Sequence, residues 1–166
     1  MENTMKVYQG KYRVHHRSKY RGDPDNVIYR SMWEAKCFNW CDKNPNVKKW
    51  SSEETVIPYF YEVDKKYHRY FIDLRIDYKD GRTILVEIKP KKETAPPKIT
   101  ATGKKTKRYI NEGLTYIKNV NKWKAANTFA QDRGWDFQVW TEETLQEMGI
   151  LPKWKKMKKL KPLKRI

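Results

Sequence analysis

Residues 71–89 constrain the fold of this chain more than any other stretch. Ile72, Leu74 and Ile76 recur at every second position, and Ile84, Val86 and Ile88 do the same after Lys79-Asp80-Gly81. Period-two alternation predicts two strands, each with one buried face. A two-residue Asp-Gly turn would set Leu74 beside Glu87 and mix the faces. A three-residue loop, with Gly81 at the left-handed bulge position, pairs Ile72 with Ile88, Leu74 with Val86 and Ile76 with Ile84. A slip of one residue would expose every apolar side chain, so the three-residue loop is expected.

That register opposes Asp73 to Glu87. Like charges directly across an antiparallel pair are destabilising, and their coexistence needs a reason. A divalent cation supplies one, since hard oxygen ligands suit Mg2+ or Mn2+. Lys89, two residues beyond Glu87 on the same face, would neutralise the pair, orient a hydroxide or hold a phosphate. The alternative is a solvated outer face on which Lys89 only screens the carboxylates.

Charge narrows the partners. Thirty-seven Lys and Arg against 20 Asp and Glu give a net charge of +17 over 166 residues. Nucleic acid is the first expectation and an anionic membrane surface the second. No run approaches the ~20 apolar residues of a membrane span, and no apolar leader opens the sequence. A single-domain, soluble intracellular protein is expected. Cys37 and Cys41 read as small buried side chains under a sheet, in preference to half of a metal site or a disulfide.

Along the chain, residues 1–26 read as a basic arm, Arg17 included, that orders on binding or is an ordinary solvated terminus. A helix is predicted over 30–43, with Ser31 as N-cap and Glu34 completing a capping box. Its buried stripe is Trp33, Cys37, Trp40 and Cys41. One or two strands follow within 47–61. Residues 89–108 form a lysine-dense connection in which Lys91, Lys92, Lys104, Lys105 and Lys107 are placed to close over phosphates. Helices are predicted over 106–118 and 121–132, where Lys122 or Lys124 would reach a nucleic-acid backbone or simply face solvent. Gly134 ends the second helix, Trp135-Phe137-Val139 alternates as a strand, and Thr141 caps a short helix to Met148. Beyond Pro152 lies a basic tail with Lys155 and Lys156. It reads as a flexible segment drawn to phosphates or as a short amphipathic basic helix.

Several of these pieces occur in a known order. They are Ser31-Met32-Trp33-Glu34-Ala35-Lys36, Ile72-Asp73-Leu74, Val86-Glu87-Ile88-Lys89, Lys122-Trp123-Lys124-Ala125-Ala126 and Gly134-Trp135-Asp136-Phe137-Gln138-Val139, with Thr141-Glu142-Glu143 after them. The set resembles the PD-(D/E)XK nuclease superfamily and, within it, the TnsA-like branch. Narrower still, it is similar to nucleases of T4-type tailed phages that act as the head is completed. Ile72 stands where the nominal motif has proline.

The resemblance implies an α/β (α+β) restriction-endonuclease-like core over 27–150, built as helix, three antiparallel strands, helix, strand. The 1–26 arm and 151–166 tail would flank it. It also implies an Mg2+- or Mn2+-dependent endonuclease that hydrolyses double-stranded DNA, with Asp73 and Glu87 as metal ligands. Glu34 would complete the acidic cluster as a third carboxylate, and Lys89 would be the catalytic lysine. The implied setting is the host cytoplasm or the virion, with portal or neck proteins as neighbours. Two alternatives stay open. One is a non-catalytic DNA-binding or capsid-associated protein on a nuclease scaffold, since fold does not establish activity. The other is a transposition nuclease, for which the chain looks short.

Overall fold

A computed structural model of the chain describes residues 9–99 and 101–153. In chain order it contains β1 (Gly10–Lys11), β2 (Ile28–Tyr29), α1 (Met32–Lys43), β3 (Val47–Ser51), β4 (Val56–Tyr61), β5 (Lys66–Phe71), β6 (Leu74–Tyr78) and β7 (Thr83–Ile88). After a long connection come α2 (Lys107–Asp132), β8 (Asp136–Trp140) and α3 (Glu142–Glu147). The central sheet has the order β3-β6-β7-β8. Its first three strands are antiparallel, and β8 lies parallel to β7. This is the expected restriction-endonuclease-like arrangement, with the β4–β5 hairpin inserted between the first and second core strands.

The turn chemistry sets the register as expected. Gly81 takes φ 93°, the Tyr78 N–H donates to the Arg82 carbonyl at 2.8 Å, and Leu74 pairs with Val86 and Ile76 with Ile84. The expected pairing of Ile72 with Ile88 does not form. Ile72 instead donates its N–H to the Thr55 carbonyl and accepts from the Glu53 N–H, both at 3.0 Å. The inserted hairpin takes the chain away from β7 just before Asp73.

Both faces of the sheet are covered. Against one, α1 packs Trp33, Cys37, Phe38 and Cys41 onto Leu74, Ile76, Ile84, Val86 and Ile88. On the other, Ala126 and Ala130 of α2 meet Leu85, Ile72 and the inner tyrosines of β4–β5. The face that alternation marks as polar is therefore a second core.

Two further expectations need amendment. The two helices expected over 106–132 are one continuous helix, because Asn119 is buried and Asn121 exchanges two 3.1 Å hydrogen bonds with Glu62 rather than breaking the backbone. The described part of the expected arm is packed on the body: Val14 and Tyr20 are buried. The carboxylate of fully buried Asp42 accepts the His15 and His16 N–H groups at 2.7 and 3.0 Å. At the far end of the chain, Leu151 is buried, and the expected tail lysines, Lys155 and Lys156, lie outside the described residues. Among the described residues no helix is long and apolar enough to cross a membrane.

Candidate active site

Tyr78–Arg82 is a hydrogen-bonded pair, so hydrogen-bonded positions recur every second residue up the β6–β7 ladder and would next fall at Ile72–Ile88. Ile72 has left, and the Ile88 N–H needs another acceptor. Asp73 Oδ2 supplies it at 2.8 Å. The side chain of Asp73 thus stands where a strand carbonyl would, and this fixes its carboxylate at the end of the sheet.

Glu87 projects from β7 toward the α2 side and is 5% exposed. Both its oxygens are engaged. The Tyr70 hydroxyl donates to Oε2, and Lys89 Nζ lies 3.3 Å from Oε1. Burial and, next, the Glu87 charge push the Asp73 carboxyl well above the usual carboxylate range, with the Ile88 N–H opposing them. Burial of Lys89 favours the neutral amine, yet the charges of Glu87 and Asp73 hold its ammonium above the ordinary lysine value. Burial and the same two carboxylates keep Tyr70 a protonated phenol.

Glu34 stands in the first turn of α1. Its backbone N–H donates to the Ser31 hydroxyl at 3.2 Å, and its Oε2 accepts the Arg30 N–H at 2.8 Å. Ser31 caps the helix as predicted, but the Glu34 carboxylate takes the N–H of Arg30, not that of Ser31, so the expected capping box is only half formed. Among the described residues no three His, Cys, Asp or Glu side chains gather closely enough to enclose an ion. The Glu34 carboxylate also accepts from the Ser31 hydroxyl at 3.4 Å. Its charge still reaches the site, adding to the forces that raise Asp73.

Asp73 and Glu87 as a pair fit a hard divalent cation. Mg2+ is commonly held by one or two carboxylates and keeps several waters. The mutual repulsion that raises Asp73 is what such an ion would relieve.

The expected DNA-contacting residues are dispersed. Arg17 forms a bidentate pair with Asp25 at 2.6 and 2.9 Å. Lys91 is tied to α3, its Nζ 2.7 Å from Glu143 and its N–H donating to Glu142 at 2.9 Å. Lys92, Lys104, Lys105 and Lys107 are exposed around the connection into α2, and Lys124 is exposed on that helix. Lys122 is half-buried and faces the tyrosines of the hairpin.

Sequence reasoning missed Tyr70. An aromatic residue in a strand reads as core, and its contact with Glu87 crosses from one sheet to another, which no local pattern encodes.

Comparison with known proteins places these residues in a family. The model of the TnsA-like endonuclease N-terminal region matches residues 44–142, a span that holds Tyr70, Asp73, Glu87, Lys89 and Lys122. The head completion nuclease of Enterobacteria phage T4 is 46% identical over 146 residues, covering 87% of this chain and 97% of that protein.

Proposed function

Since the chain belongs to the TnsA-like endonuclease family, we propose that it is a divalent-metal-dependent endonuclease that cuts double-stranded phage DNA at head completion. The observation that carries this reading is the placement of Asp73 on the Ile88 N–H, beside Glu87 and Lys89. Asp73 and Glu87 would hold Mg2+ or Mn2+, which when bound supplies a water of lowered pKa and stabilises charge on the phosphoryl oxygens. Tyr70 keeps Glu87 oriented by donating to the oxygen that Lys89 does not face. Lys89, whose Nζ lies 3.3 Å from Glu87 Oε1, would donate to a phosphate oxygen or orient an attacking hydroxide. Portal or neck proteins are the neighbours this role calls for, in the host cytoplasm or the virion.

Supercoiled plasmid in Mg2+ or Mn2+ tests the reading. Nicking or linearisation is expected, abolished by chelator and by Asp73→Ala, with DNA binding retained in both cases. Equal behaviour of wild type and Asp73→Ala would replace the enzyme with a non-catalytic DNA-binding protein.

A further inference from the structure

Two lysines of α2 stand over the hairpin tyrosines with no acceptor. Lys122 Nζ is 5.3 Å from the Tyr70 ring centroid and 5.8 Å from that of Tyr59. One turn earlier, Lys118 Nζ is 4.9 Å from the Tyr61 ring. Among the described residues neither ammonium has a carboxylate partner or donates a hydrogen bond. Other lysines of this chain show what a satisfied ammonium looks like. Lys19 donates to the Cys41, Asp42 and Asn44 carbonyls at 2.8–3.0 Å, and Lys89 has Glu87. An ammonium carries three donors, and taking it partly out of water without an acceptor costs free energy that ring faces return only in part. Burial accordingly lowers Lys122 from the ordinary lysine value, with the Glu87 charge acting the other way.

The spacing is matched. Tyr59 and Tyr61 are two residues apart on β4, roughly 6.5 Å along a strand, and Lys118 and Lys122 are four apart on α2, about 6 Å along a helix. Each lysine therefore has its own tyrosine platform. The row also leads to the site. Tyr70, beneath Lys122, is the residue whose hydroxyl meets Glu87. Ala126, one turn beyond Lys122, packs in the same core as Leu85, two residues before Glu87. Beyond Lys118 the surface opens into a depression lined by Tyr61, Asn111, Leu114 and Thr115.

We propose that Lys118 and Lys122 form a phosphate track, each taking one phosphate of the DNA strand that enters the Asp73–Glu87 site, with Lys122 nearer the scissile bond. The direction of this strand rests on the nuclease reading; the phosphate contacts do not.

The test is duplex DNA affinity, measured without metal across a range of salt, for wild type, Lys118→Met, Lys122→Met and the double variant. Methionine keeps an apolar stem over each ring and removes the charge. The slope of log affinity against log salt is expected to flatten by about 0.9 for each lysine lost and about twice that in the double variant, with Lys122→Arg restoring it. A double variant that melts like wild type and keeps the full slope overturns the track. Should Lys122→Met not fold, Lys122→Gln and Lys118→Met make the same comparison. Wild type that cuts, with variants of unchanged slope, removes the track alone. Wild type that binds without cutting, with slopes lost in the variants, removes the nuclease and leaves the track.

Discussion

Asp73 is held in place at a cost to the fold. Its carboxylate is buried next to that of Glu87 and raised well above the usual range, so ionising it at neutral pH opposes folding until a cation is present. Asp73→Asn keeps an oxygen for the Ile88 N–H and removes the repulsion. In chelator near pH 7.5 this variant is expected to melt higher than wild type, by on the order of 1 kcal/mol, while losing cleavage. A lower melting temperature would show that the pair is not in conflict. Asp77 behaves in the opposite way. Burial works to raise it, but the Thr83 hydroxyl at 2.7 Å and the guanidinium groups of Arg75 and Arg21 outweigh burial and hold it below the ordinary aspartate value. A depressed acid stabilises the fold above its unfolded pKa and loses that contribution as pH falls through the folded one. Asp77→Asn should therefore cost roughly 1.5–3 kcal/mol at pH 7, with the gap from wild type closing below about pH 4 in denaturant titrations. Glu34 shows what a single residue can hide. The helix start is legible from Ser31 three positions before, but the bond that the Glu34 carboxylate makes to the Arg30 N–H is one that no spacing rule records.

At the scale of elements, α2 is the piece that can be tuned. Gly113 lies inside the helix, and a Cβ placed there meets nothing within 4 Å. Gly113→Ala should stabilise the protein by roughly 0.5–1 kcal/mol through the unfolded chain, read as a raised melting temperature with unchanged cleavage. The helix is readable in the sequence except for its continuity. Asn119-Val120-Asn121 suggests a break, yet it contains neither Gly nor Pro, and the burial of Asn119 and the bonds of Asn121 to Glu62 keep the helix whole. The β6–β7 hairpin is readable because Gly81 and the alternation agree. The exception is Leu85, an apolar residue on the supposedly polar face. Thr83-Ile84-Leu85-Val86 is nearly a continuous apolar run, the pattern of a strand buried on both sides, and that run is itself a sign of the second core. The departure of Ile72 has no comparable sign, because it results from competition between two sheets for one segment.

For the whole molecule, a charge of +17 predicts DNA affinity dominated by released counterions. If six to ten phosphates are contacted, affinity should fall on the order of 10³–10⁵-fold between 50 and 200 mM salt. A flat response in filter binding or fluorescence anisotropy would remove nucleic acid as the main partner. Part of that charge is already committed internally, as Arg17 with Asp25 and Lys91 with Glu143 show. The composition reveals the class of partner but not which cations are free to meet it. The two proposed ligands come from different parts of the architecture: Glu87 from the central strand, Asp73 from the exit of the inserted β4–β5 hairpin. An added residue in the turn over 62–65 disturbs the bonds between Glu62 and Asn121 but lies at the far end of the hairpin from both ligands. The same addition at Ile72 turns Asp73 away from the Ile88 amide. A change of length at one end of that ribbon leaves the carboxylates in place, and the same change at the other end unseats one of them.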